Sequence, residues 1–236
     1  MNQKNVVIKI GGSLLFKENK SIDLEKITEF CDIIKNKNNL DMIVIVCGGG
    51  IIAREYINAV RKFSGNESLC DLFGIELSRI NSKLLISNLG DLSYPQVPTS
   101  IEDLSKALLF KKIIIMGGLQ PGQSTTSVAI EVAEFIKANE IIILTDVDGL
   151  YDKDPNEFKD AKLLPHVNYT QLEDLIVKTF GNNQAAAGEY RIFDTVSLQL
   201  LKRSNIPLYL MNGRDLNQFR KLYYGQKPTI GTRITN

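Results

Sequence analysis

The sequence predicts an α/β protein with a largely parallel sheet, and three observations carry that prediction. Short runs rich in Val and Ile recur along the chain, nearly continuous in apolar character rather than alternating, as strands covered on both faces require. The segments between them space their apolar residues at helical intervals. Three of the runs end in clusters of glycine.

Taken in order, the first strand is expected at Val6 to Ile10, followed by a helix whose Leu24, Ile27, Cys31 and Ile34 share one face. Met42 to Cys47 reads as the second strand, and a helix begins after its glycines. In the next long segment Leu69, Phe73, Ile80 and Leu84 mark a buried stripe. Pro95 and Pro98 make an irregular connection to a strand at Lys112 to Met116. Val128, Val132, Phe135 and Ile136 define another helix, Ile141 to Leu144 another strand, Val196, Leu200 and Leu201 another helix, and Pro207 to Leu210 another strand. Gly225 to Gly231 forms a loop before a short final strand. Strands alternating with helices build βαβ units and hence parallel pairing.

The 236 residues suit one large domain. A boundary near Ala138 to Glu140 is expected to separate two lobes of one continuous sheet, 1–138 and 139–236, rather than two domains. The 28 Lys and Arg nearly cancel the 27 Asp and Glu, which excludes the global field that draws proteins to nucleic acid or anionic lipid. Cys31, Cys47 and Cys70 lack metal-ligand spacing and sit among apolar residues, as small buried hydrophobes do. No signal peptide is visible and no apolar stretch approaches the roughly 20 residues that span a bilayer, so a soluble, cytoplasmic protein is expected.

The chemistry concentrates at the strand ends. Gly11 and Gly12, Gly48 to Gly50, and Gly117, Gly118 and Gly122 would let backbone N–H groups approach a ligand closely, and a helix starting directly afterwards would point its positive end into the same space. Any one cluster reads equally as a tight turn; three together point to phosphate. Neither G-x-x-x-x-G-K-[ST] nor G-x-G-x-x-G after a strand occurs, so this is neither a P-loop nor a dinucleotide fingerprint. Lys9 lies inside the first apolar strand, where a phosphoryl group would give it a partner; the other reading is a snorkelling lysine at a strand end. Arg54, four residues past the triple glycine, is expected in the first turn of its helix with its guanidinium near a phosphate. In the segment Ile143 to Pro155, the carboxylates of Asp146, Asp148, Asp152 and Asp154 follow Thr145, a density that suits Mg²⁺ or basic groups but also a solvated loop. Asp71 and Arg79 share a helix face, suited to sugar hydroxyls and phosphate or to the surface. His166 follows Pro165 in a presumed loop and is given no role.

Taken in order, the motifs KIGGSLL, VCGGGIIAREYI, DLFGIELSRINSKLLI, MGGLQPGQSTTSVAIEVAE, DVDGLYDKDP, GEYRIFDTVSLQLLKRSNI and GTRI resemble the amino-acid-kinase superfamily, most closely its archaeal-type UMP kinases, over essentially the whole chain. The PGQSTTSVA and DLFGIELSRIN segments discriminate best. The resemblance implies a three-layer αβα sandwich, Mg²⁺ carried by ATP with no protein ligands, ATP and UMP as substrates, and a homohexamer. It implies that Lys9 stabilises the transferring charge while Gly11, Gly12 and Ser13 line the phosphate. Gly49 would face the UMP phosphate, Gly50 and Arg54 the ATP side. Asp71 would bind the UMP ribose, and Leu119, Gln120, Pro121, Gly122, Gln123, Ser124 and Thr125 would wrap UMP. Thr145, Asp146, Tyr151 and Asp154 would surround the ATP base and ribose, with Asp194 organising the basic residues. One departure stands out: Asp146 occupies a position where related UMP kinases usually carry Asn or Lys and the glutamate and aspartate kinases carry Asp. Two other readings therefore remain at this point: a kinase of the same fold acting on a carboxylate or alcohol, and a nucleotide- or oxyanion-binding protein without turnover.

Overall fold

The computed structural model describes residues 4–36, 42–153, 158–180 and 192–236. Among the described residues seven strands form one sheet: β1 (Asn5–Ile10), β2 (Met42–Cys47), β3 (Ile113–Met116), β4 (Glu140–Thr145), β5 (His166–Asn168), β6 (Leu208–Asn212) and β7 (Thr232–Thr235), in the order β3-β2-β1-β4-β6-β7-β5. Pairing is parallel throughout except between β6 and β7. Strands β1, β2 and β4 are apolar on both pleats because both faces are covered, as the continuous apolar runs require.

The sheet is the middle of three layers. One face packs against α4 (Ile101–Ala107), α5 (Thr125–Phe135), α6 (Tyr169–Phe180) and α7 (Thr195–Ser204), with Val7, Val44, Ile141 and Leu208 beneath Val128, Val132 and Leu201. The other packs against α1 (Leu24–Lys35), the end of α3 (Glu67–Leu89) and α8 (Asn217–Tyr223), where Ile8, Ile45 and Ile142 meet Phe30, Leu85 and Phe219. Helix α2 (Gly50–Ser64) lies over α3 through Ala53, Ile57, Val60 and Cys70. The three cysteines are buried free thiols, and burial pushes those of Cys31 and Cys47 up to about 12.

The expected strands fall within one or two residues of the observed ones, whereas β5, α4, α6 and α8 are elements that the sequence reading did not single out. His166 opens β5 instead of lying in a loop, with Nε2 at 2.9 Å from Thr235 Oγ1. The helix faces need more correction. Leu24 is 68% exposed, because it opens α1 after the Asp23 cap and the core stripe runs through Ile27, Phe30, Cys31 and Ile34. Phe135 and Val196 also face outward. On α3 the expected stripe holds at Phe73 and Leu84, which pack against the apolar clusters, and fails at Leu69, which is exposed, and Ile80, which is 51% exposed, while Ser78, Asn81 and Ser82 are buried. That inner face meets peptide groups of glycine loops, so small hydrogen-bonding side chains fit it better than leucines.

Candidate active site

Strand β1 stands between β2 and β4, and the chain builds β2 and β3 on one side of it before α5 carries it across to β4 on the other. The carboxyl ends of β1 and β4 are therefore a topological switch point, the place where open α/β sheets leave a crevice for ligands. Lys9 is one residue short of that end. It shares its pleat with Val7, whose side chain lies in the core beneath α5, so the ammonium is directed to the same layer. Burial lowers its pKa to about 8, and the Asp146 carboxylate opposes that shift. The two are brought together because Gly11 N–H donates to Leu144 O at 2.9 Å, setting the end of β1 beside Thr145 and Asp146. Asp146 Oδ1 also accepts from Thr145 Oγ1 at 3.2 Å.

The glycines have two jobs. After β1, Gly12–Leu15 forms a single 3₁₀ turn, too short for the helix dipole expected there. This turn lies backbone to backbone on the next loop: a Cβ on Gly12 would stand 2.2 Å from Gly50 N, and one on Gly50 2.5 Å from Gly12 O. Other glycines make room for α3 instead of a ligand. A Cβ on Gly117 would be 2.5 Å from Ser78 Oγ, and one on Gly49 3.2 Å from Gly74 O. Helix α2 does start directly at Gly50, whose φ of +72° is left-handed; Arg54 is its fifth residue and so lies in the second turn, not the first.

Helix α3 grips the loops after β2 and β3 along its length. Asp71 Oδ2 accepts from Gly122 N–H at 2.8 Å. Ser78 Oγ accepts from Gly118 N–H at 2.7 Å. Arg79 donates from Nε to Gly118 O at 3.1 Å and from Nη2 to Leu119 O at 3.3 Å. Asn81 Nδ2 donates to Gly48 O at 2.8 Å and to Gly49 O at 3.0 Å. Asp71 and Arg79 thus share a face, as their spacing predicts, and both hold the segment 118–122. Within that segment Leu119 packs on the core, Gln120, Pro121 and Gly122 are exposed, and Gly122 takes a φ of +75°. Gln123 donates from Nε2 to Glu131, while its Oε1 is buried without a hydrogen-bond partner among the described residues. Ser124 caps α5 by accepting from Ser127 N–H at 3.1 Å, leaving Thr125 at its first position.

Across β1 the residues at the ends of β4 and β6 hold one another. Asn212 Nδ2 donates to Asp148 Oδ1 at 2.9 Å, and Gly213 N–H donates to Thr145 O at 2.7 Å. Tyr151 pairs with Leu163 in an isolated bridge, and burial, helped by Asp148, raises its phenol pKa. Asp154 lies outside the described residues. Asp194 is buried as the N-cap of α7, accepting from Ser197 N–H at 2.7 Å and Ser127 Oγ at 3.3 Å. It joins the N-termini of α5 and α7, and the carboxylate that acts on Lys9 is Asp146. Ser78 and Asn81 were not anticipated. Their signal is a run of polar residues at i, i+3 and i+4 (Ser78, Asn81, Ser82) continuing into the buried Leu85 and Leu89.

The segment 4–212 matches the model of the amino acid kinase family. A uridylate kinase of Methanobrevibacter smithii is 40% identical over 229 residues, 97% of this chain and 98% of that protein. One of Sulfolobus acidocaldarius is 37% identical over 223 residues, 94% of this chain and 95% of its own length. Among solved structures, the uridylate kinase of Archaeoglobus fulgidus superposes with a TM-score of 0.81 at 31% identity, covering 98% of this chain and 99% of that one. With matches of this extent over the same sheet and strand ends, the chain belongs to the amino acid kinase family.

Proposed function

We propose that this enzyme transfers the γ-phosphoryl group of ATP to the phosphate of UMP, giving UDP and ADP. The observation that carries the reading is Lys9 at the switch point, with backbone loops of glycine on one flank and carboxylates on the other. The similarity to uridylate kinases supports UMP as the acceptor.

In this reading an oxygen of the UMP phosphate attacks the γ-phosphorus in line, the bond to the bridging oxygen breaks, and ADP leaves with that electron pair. The acceptor is already an anion near neutral pH and needs little help from a base. The protein's work is to place two anions together and neutralise their repulsion. Lys9 supplies a fixed positive charge to the transferring oxygens, and Gly11, Gly12 and Ser13 line them. Gly49 faces UMP and Gly50 and Arg54 face the donor. Asp71 binds the ribose of UMP, exchanging its present bond to Gly122 N–H, and 119–125 encloses the nucleotide. Thr145, Asp146 and Tyr151 hold ATP, and Asp194 positions the helix ends around the site. Lobe 1–138 serves UMP and lobe 139–236 ATP. Mg²⁺ would be carried by the phosphates of ATP, as the resemblance implies, and when bound it would supply further neutralisation of phosphate charge. We place the enzyme in the cytoplasm as a homohexamer, the assembly implied by the resemblance. Among the described residues no helix is long and apolar enough to cross a membrane.

The test is a panel of acceptors offered to the purified protein with ATP and Mg²⁺. UMP should stimulate ADP release and yield UDP. Release driven by glutamate or aspartate but not by UMP would sink the reading.

A further inference from the structure

We infer that Asn81, a residue facing away from any substrate, is the positioning residue that aims the backbone amides of Gly49 and Gly50 at phosphate. The inference rests on the kinase reading above and deepens it.

Gly49 has φ −74° and ψ −32°, in the right-handed helical region, and Gly50 follows with φ +72°. Successive right- and left-handed residues curl the backbone into a nest, a concavity lined by consecutive N–H groups that binds anions. The nest lies at the start of α2, where the first N–H groups have no intrahelical partner. Glycine is needed at Gly50 because of its positive φ and because a Cβ would strike Gly12.

What fixes the orientation of those N–H groups is on the other side of the same peptides. In a trans peptide the C=O and N–H point in opposite directions. Gly48 O belongs to the peptide that carries Gly49 N–H, and Gly49 O to the one that carries Gly50 N–H. Asn81 Nδ2 holds both carbonyls, at 2.8 and 3.0 Å, so both N–H groups are turned away from the Asn81 side chain. The amide nitrogen must be the contacting atom, because both partners are acceptors. Asn81 is 3% exposed, which keeps water from competing for these carbonyls. Ser82, next to it and equally hidden, donates its hydroxyl to Ser78 O within the helix and meets the Cys47 thiol at the end of β2, but holds neither of the two carbonyls.

The test compares Asn81→Leu, close in size but unable to donate, with Ser82→Ala as the packing control. Calorimetry measures UMP affinity, and an amide NMR titration with inorganic phosphate follows Gly49 and Gly50. In Asn81→Leu the dissociation constant for UMP is expected to rise at least tenfold and the phosphate-induced shifts of Gly49 and Gly50 to vanish. In Ser82→Ala both should stay as in the unmodified protein even if its melting temperature falls. A folded Asn81→Leu with unchanged UMP affinity and unchanged phosphate shifts overturns the proposal. Should Asn81→Leu not fold, Asn81→Ser is read by the same two measurements and the same result overturns it. Unmodified protein that binds no UMP at all would instead remove the kinase reading on which the proposal rests.

Discussion

The two flanks of Lys9 are built on different principles. On the side of β2 and β3, the strand-end loops are nearly all backbone, and α3 holds them through Asp71, Ser78, Arg79 and Asn81. On the side of β4 and β6, side chains from the strand ends themselves make the surface, with Asp146 facing Lys9 and Asp148 tied to Asn212. A template of peptide dipoles suits an anion that must be placed within a fraction of an ångström. A set of carboxylates and a phenol suits the neutral, hydroxyl-rich end of a nucleotide. The difference also locates the tolerance to change: a glycine loop under a helix admits almost no added atom, whereas a side chain on the donor flank can be exchanged at its own position.

The comparison is broken most severely at the residue shared by both flanks. Lys9→Met is expected to lower kcat about 10²- to 10³-fold while leaving the affinities for ATP and UMP nearly unchanged, the signature of an interaction stronger in the transition state. Steady-state kinetics beside equilibrium binding separates these effects, and an unchanged kcat would refute the role of Lys9.

A second, smaller break tests the intolerance of the glycine-loop flank. Gly50→Ala forces a Cβ within 2.5 Å of Gly12 at a left-handed φ, and UMP turnover should fall about tenfold or more with a stability loss of about 1–3 kcal/mol. Gly65→Ala is the matched control: its φ is also positive, +63°, but nothing lies within 4 Å of the new methyl. It should cost about 1 kcal/mol in thermal unfolding and nothing in kcat/KM. Equal kinetic effects of the two substitutions would show that strain alone, and not the fit of two loops, matters at Gly50.

The smallest effect sharpens the donor flank. The competent form of Lys9 is the ammonium, and its pKa in the free enzyme is about 8, so kcat/KM should fall as pH rises through that value. Asp146 raises this pKa against the larger effect of burial. Asp146→Asn removes the raising influence, so the alkaline limb should move to lower pH. At pH 8 the variant should be roughly threefold to tenfold slower than the parent, with the deficit shrinking toward pH 6. A limb that does not move would show that Asp146 does not act through Lys9.

The sheet was legible because burial on both faces leaves an unbroken apolar run, and each such run from Val6 to Leu210 became a strand. The ligand-binding end of the sheet followed from glycine at three strand ends; that it is a switch point comes from the strand order. The helix faces were less legible. Apolar spacing on α3 suggested Leu69, Phe73, Ile80 and Leu84 as the buried stripe, and Leu69 and Ile80 fail it because part of the surface beneath is made of peptide groups, where the residues selected are Ser78 and Asn81. A period computed on hydrophobicity cannot detect a buried face whose partners are hydrogen-bonding. The same limit explains the glycines: their number announced close backbone approach, but whether a ligand or another segment approaches depends on where α3 crosses. The short helices α4 and α8 draw their order from packing across the sheet more than from local pattern.

The placement of β1 has a consequence for how the chain comes into being. Of the strands described, β1 is made first and is an inner one of the finished sheet, and its second neighbour, β4, begins only at Glu140. Until that segment is made, the nascent polypeptide carries an apolar strand with one hydrogen-bonding edge open, the kind of edge to which stray strands attach. Synthesis of this enzyme therefore includes a long vulnerable interval that ends abruptly, when a single late strand closes the ladder beside Lys9.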